Sequence, residues 1–163
     1  MAVIDKPLKV EIVERHQRNY PVDVRAMADD LGLYVEEQYL PDTISGMIKR
    51  NFWNEFTVVV NDRHSETRKR FTIAHEIAHY VLHRDMIGDG VTDDAMYRSA
   101  ELSDAVERQA NRYAASVLMP HWLVRRAWMA GTQDAKALGR AFRVSPAVAE
   151  IRIDELGCRY WPS

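Results

Sequence analysis

Apolar positions along the chain follow two rhythms that change at clear points. In residues 8–18, Leu8, Ile12 and Val13 fall at helical spacing, and Asn19-Tyr20-Pro21 closes the segment. Val22, Met27 and Leu31 continue that spacing in a second short helix with Gly32 as its stop. Period two then takes over. Residues 33–35 and 44–48 read as short strands separated by a Pro41-Asp42 turn, and residues 56–60 form the strongest strand, a β-branched run closed by Asn61-Asp62. Three such strands predict a small antiparallel sheet.

From His64 the period returns to 3.6, with Phe71, Ala74, Ile77, Ala78, Val81 and Leu82 in a broad apolar stripe on a helix ending before Gly88. Residues 86–97 are rich in turn formers and predict an exposed loop. A second long helix is expected from about Ser99 to Met119, stopped by Pro120, and a third over residues 122–129. Two short helices follow around Val144-Ser145-Pro146, with Ser145 as N-cap and Pro146 at the first helical position. Repeats, low-complexity tracts and linkers are absent from the pattern. The expectation is one α+β domain over residues 1–163, with a core at about 20–130 and a helix-turn-helix-like C-terminal segment at about 134–159.

Composition narrows the chemistry. A chain of 163 residues with 47% apolar content can bury roughly two-thirds of its unfolded surface, so it needs neither metal nor disulfide merely to fold. Lys and Arg number 22 against 24 Asp and Glu, for a formal net charge of -2. Only residues 120–163 carry a basic excess, 7 against 4, which is small for a polyanion-binding protein. Cys158 is the single cysteine and reads as a small apolar residue in a reducing compartment. No apolar run approaches the ~18 residues of a membrane span, and the N-terminus lacks a signal-peptide core. A cytoplasmic protein with no membrane partner is expected. Four of the six His, at 64, 75, 79 and 83, fall within 20 residues.

Within that cluster His75-Glu76-Ile77-Ala78-His79 forms the pattern H-E-x-x-H. Two His four apart share a helical face about 6 Å apart along the axis, close enough for both rings to reach one zinc at about 2.1 Å. The Glu between them points to the side. It can take a proton from a water on the metal without being a ligand itself.

A hydrolytic site needs a third protein ligand and an open position. His83 continues the i+4 series but lies about 12 Å from His75 in axial rise, too far on a straight helix. It reads instead as a helix C-terminal residue or a substrate-side group. Asp85 would need a glycine at position 82 to turn the chain, and Leu82 stands there. Glu107 lies on the second long helix, followed by Ala110, Ala114 and Ala115, which allow close helix packing. Asn111, one turn on, is placed to accept the free ring N–H of a ligand His. Glu101 is a fallback near the expected helix start.

FTIAHEIAHYVLH followed by ERQANRYAASVLMP, with a strand ending in Val-Asn upstream, resembles the ImmA/IrrE family of metallopeptidases over roughly residues 20–157. The resemblance implies a minimal zinc-peptidase, gluzincin-like fold, with one Zn2+ held by His75, His79 and Glu107 and with Glu76 as general base. It implies as substrate an XRE-type helix-turn-helix repressor or antitoxin encoded nearby, as in prophages and toxin-antitoxin pairs, whose cleavage relieves repression. Manganese or iron also suits two His and one carboxylate.

Substrate is expected to add as an extra strand beside residues 56–60 or 44–48, and Tyr113, His83 or Arg112 are the candidates for oxyanion help. Trp53, Trp122, Trp128 and Trp161 read as core or interface anchors, Arg68-Lys69-Arg70 as a solvated first helical turn, and His64 as a surface residue at a helix start. The competing functional class is a non-cleaving repressor-binding or DNA-binding protein using residues 134–159. Lys136, Arg140, Arg143, Arg152 and Arg159 face four acidic residues there, a balance that disfavours phosphate binding.

Overall fold

A computed structural model describes residues 4–87 and 104–163. The elements are α1 (Lys6–Arg15), α2 (Val24–Asp30), β1 (Leu33–Gln38), β2 (Gly46–Arg50), β3 (Phe56–Asn61), α3 (Glu66–Leu82), α4 (Asp104–Leu118), α5 (His121–Met129), α6 (Ala135–Phe142) and α7 (Pro146–Leu156), with 3₁₀ turns at Arg84–Met86 and Cys158–Tyr160. The loop expected over 86–97, past Ile87, lies outside the described residues, as do the helix start expected at Ser99 and the fallback ligand Glu101.

Local chemistry sets the boundaries. The α1 helix begins before its first apolar repeat because the Asp5 side chain accepts the Leu8 N–H and Pro7 occupies the first turn. The Ser65 hydroxyl accepts the Arg68 N–H and starts α3, with Glu66 against the positive helix end. Ser145 caps α7, and Gly157 at φ 65° ends it.

The sheet is mixed rather than antiparallel. β3 lies between the other two strands; β1 pairs parallel to it from Leu33↔Phe56 to Gln38↔Asn61, and β2 pairs antiparallel from Gly46↔Val60 to Arg50↔Phe56. Burial explains the order. Val58, Val59 and Val60 are all fully buried, so β3 needs cover on both faces and takes the centre. The chain crosses from β1 to the far edge for β2, reverses, and re-enters between them parallel to β1. Val58 and Val60 join the main core, whereas Val59 packs with Leu40 and Met47 on the other face.

Ile73, Ala74 and Ile77 of α3 lie at the centre of that core, and α4 supplies Ala114, Val117 and Leu118 to it. Leu138 and Phe142 of α6, Ala149 and Ile153 of α7, and Cys158 belong to the same cluster, so the C-terminal helices are continuous with the peptide-sheet core. Of the four tryptophans, Trp128 is buried in the core, whereas Trp53 stands 75% exposed at the β2–β3 hairpin tip and is not a core residue.

The basic turn expected to be solvated is so only in part: Arg68 is exposed, Lys69 is half-buried and Arg70 is buried. Arg70 is 7% exposed; its guanidinium donates to Val22 O at 2.8 Å, Phe142 O at 3.1 Å and Arg143 O at 3.2 Å. Two of those carbonyls end α6, where the helix dipole favours a cation. Burial lowers the Arg70 pKa, followed by the Arg143 charge, yet the three acceptors keep the cation solvated by protein. Arg70→Ala is therefore expected to cost about 3 kcal/mol of stability, because it removes charged hydrogen bonds and leaves buried carbonyls without a donor. Urea unfolding checks this; a loss under about 1 kcal/mol would contradict the bolt between α3 and α6.

Candidate metal centre

The i, i+4 spacing on α3 places His75 and His79 on one face, and α4 crosses it with Glu107 and Asn111 one turn apart. His79 Nε2 lies 3.1 Å from His75 Nε2. Glu107 spans the pair, with Oε2 at 3.2 Å from His75 Nε2 and Oε1 at 3.2 Å from His79 Nε2. One ligand atom from each of the three residues lies within 4.8 Å of the others.

The opposite ring nitrogens fix the tautomers. His75 Nδ1 donates to Asn111 Oδ1 at 2.8 Å. Gln109 Oε1 lies 2.9 Å from His83 Nε2 and can only accept, so a neutral His83 carries its proton there and turns a lone pair on Nδ1. His79 Nδ1, 3.2 Å away, is then the donor to it. Both Nε2 atoms consequently face one another as lone pairs, beside a carboxylate.

Such a set is self-repelling unless a cation lies among its members. Glu107 Oε1 is buried without a hydrogen-bond partner, although it sits at contact distance from His79, as a lone pair directed at a shared point would. Tetrahedral ligands at about 2.1 Å from one ion stand about 3.4 Å apart, close to the spacings here. The residues therefore fit a metal of the two-His, one-carboxylate type.

When no metal is bound, a proton on these Nε2 atoms can bridge to Glu107 instead. The two imidazoles beside it, His75 first and then His79, hold the Glu107 carboxyl well below the ordinary carboxylate range. Burial pushes His75 down, but its bond to Glu107 and the Glu76 charge outweigh that, and the net shift is upward from 6.5. Protons and metal compete for the same Nε2. Zinc affinity is thus expected to fall with decreasing pH, beginning above pH 6.5; zinc titrations from pH 8 downward check it, and a loss confined below 6.5 would contradict it.

Glu76 is 4% exposed and lines a cleft of about 290 Å³ together with His75, Glu107 and Asn111. The opposite wall is Thr43, Ile44, Ser45 and Gly46. Gly46 is required there: a Cβ would lie 2.4 Å from Val59 O and 2.6 Å from Thr72 Cγ2, so only glycine lets β2 approach α3 this closely.

Residues 28–154 match the Peptidase M78 family model, described as the IrrE N-terminal-like domain. The chain belongs to that family. The match runs from the end of α2 through most of α7, including both helices of the centre, and makes the chain a metallopeptidase-like domain of the IrrE/ImmA kind. Its fold is similar to that of a Mycobacterium tuberculosis transcriptional regulator, at TM-score 0.61 and 23% identity over 91% of this chain. This IrrE N-terminal-like domain spans about half of that structure, 47%. No curated protein gives a match. No helix among the described residues is long and apolar enough to cross a membrane.

The other site candidates separate in space. His83 caps the end of α3 and touches His79 from behind, away from the cleft lining. Tyr113 lies on another face of α4, in a cavity with Val10, Glu14 and Gln17, where burial and then the Glu14 charge push its hydroxyl up to about 12. The Arg112 side chain is 80% exposed and lies near Glu155. Asp85 sits in the 3₁₀ turn after α3, outside the converging group.

Two contributors were invisible to sequence spacing. Gln109 completes the chain behind His79; its only signal is the i+2 position after Glu107, which alone says nothing. Asn61 is fully buried and its Nδ2 donates to Leu40 O, Pro41 O and Ile44 O at 3.2, 3.1 and 2.9 Å. It shapes the loop forming the far wall of the cleft. His64, expected at the surface, is half-buried beside it, with Nε2 3.2 Å from Asp42 O.

Proposed function

We propose that this chain is a zinc-dependent metallo-endopeptidase, with His75, His79 and Glu107 as metal ligands and Glu76 as general base, acting on a helix-turn-helix repressor or antitoxin of the XRE type. The observation carrying the reading is the convergence of two lone-pair imidazoles and a carboxylate beside a buried glutamate in an open cleft. When bound, the metal would polarise a peptide carbonyl and acidify water. Glu76 would accept the proton of the attacking water and deliver it to the leaving amine. Asn111 and the His83–Gln109 pair hold the ligand rings in the tautomer that binding needs.

The sheet edge supports peptide capture. Hydrogen bonds from Asn61 N to Ser45 O and from Asn51 N to Glu55 O set the antiparallel alternation, so Ser45, Met47 and Lys49 turn their backbone groups to β3. Gly46 and Ile48 turn theirs away from it. An extended substrate can add there, along the cleft wall. β3, the other strand expected to serve, is paired on both sides and cannot.

Two of the five basic residues of the C-terminal helices are already engaged within the fold. Arg152 is buried, donating to Met119 O at 2.9 Å, and Arg159 is paired with Glu150 at 2.6 Å and Asp154 at 2.7 Å. The repressor reading rests on the family resemblance. Mass spectrometry of a neighbouring helix-turn-helix repressor incubated with the zinc-loaded chain tests it. Two fragments that vanish with chelator are expected; an intact repressor that co-elutes with the chain would establish holding in place of cutting.

A further inference from the structure

A second groove of about 500 Å³ adjoins the metal cleft. Phe71 and Asn111 line both, and Asn111 holds the ring of His75 at 2.8 Å. The groove runs from there onto α7, over an apolar floor of Ala115, Val148 and Ile151. Ile151 is 56% exposed despite its size and is not among the described residues that pack against the main core. Two guanidinium groups, Arg108 and Arg112, rise at the rim. Glu155, the one carboxylate among the described lining residues, is shared between Arg112 at 3.7 Å and the buried Arg152 at 3.3 Å, so that lining is net positive.

We propose that this groove is a substrate subsite that selects a polypeptide segment carrying a large apolar side chain beside an acidic one. The proposal rests on the peptidase reading and specifies its substrate. Continuity through Phe71 and Asn111 places the apolar–acidic pair on the same polypeptide segment as the scissile bond. The apolar side chain covers Ile151 and Phe71, and the carboxylate meets Arg108 and Arg112. On this assignment α7 is a specificity element.

The test uses short peptides identical except for a central Leu-Asp, Leu-Lys or Ser-Asp pair, with binding followed by fluorescence anisotropy on the zinc-loaded full chain carrying Glu76→Gln. Leu-Asp is expected to bind best. Added Ile151→Asp should weaken it about tenfold or more while barely changing Ser-Asp. Added Arg112→Glu should lower the preference for Leu-Asp over Leu-Lys about fivefold. Both side chains are exposed, and circular dichroism verifies the fold. Peptide binding that ignores the central pair, or that neither substitution alters, overturns the subsite. The same peptides are then incubated with the chain bearing Glu76. Binding with the expected preferences but no cleavage would overturn the peptidase reading alone and leave the groove as a recognition site.

Discussion

Glu76→Gln is expected to keep the fold and a full complement of bound metal while losing peptidase activity by about a thousandfold, within the range for removing a general acid–base group. Gln has the shape of Glu and fills the same 4%-exposed position, so packing around Ile73 and Ile77 is undisturbed. It cannot take a proton from water or carry one to an amine. The converging donor set consists of His75, His79 and Glu107, and Glu76 is outside it, so zinc stoichiometry should not change. Turnover of a cleaved peptide, metal content by atomic emission and the melting temperature together check the assignment. Undiminished cleavage would sink the mechanism; loss of zinc would make Glu76 a ligand and sink the division of roles.

The meeting of His75, His79, Glu107 and Asn111 was legible in the sequence because it depends on local geometry. An i, i+4 pair of His on a helix has to share a face, and the same holds for Glu107 and Asn111 on α4. The alanines at 110, 114 and 115 then permit the two faces to meet. Two constraints of fixed periodicity thus bring four side chains together across 36 positions of sequence.

Features set by pairing between distant segments were not readable in this way. Strand order is one. The run at 56–60 announces a strand but not its neighbours, and only the burial of both its faces puts it between β1 and β2. Arg70 is another, since its three acceptors come from residues 22, 142 and 143, and nothing in Arg68-Lys69-Arg70 distinguishes the bolt from the exposed Arg68 or from Lys69, which pairs with Glu37. His83 is the most instructive case. Axial rise correctly separates it from His75 as a co-ligand, yet its contact with His79 is only one turn away, and the role as acceptor for the His79 ring follows from Gln109 behind it. Sequence distance decided what His83 could not reach; the packing of α4 decided what it touches.

Glu107→Ala should have the second large effect, and it falls on the metal rather than on chemistry. The substitution removes the one carboxylate among the converging atoms of the described residues and leaves two imidazole lone pairs 3.1 Å apart with no carboxylate ligand beside them. Zinc affinity is expected to drop by more than about a hundredfold, beyond the 10–100-fold typical of removing a group behind a ligand. Asn111→Ala, which removes only the acceptor behind His75, should fall inside that narrower range. Zinc is expected to raise the melting temperature of the parent chain, because binding to the folded state alone stabilises it, and to leave the Glu107→Ala melting temperature nearly unchanged at the same concentration. Atomic emission after dialysis gives the stoichiometry directly. An alanine variant that still carries one zinc per chain, with an undiminished thermal shift, would reject Glu107 as ligand. It would return the third position to an acidic residue elsewhere and leave Glu107 as a neighbour of the two His ligands.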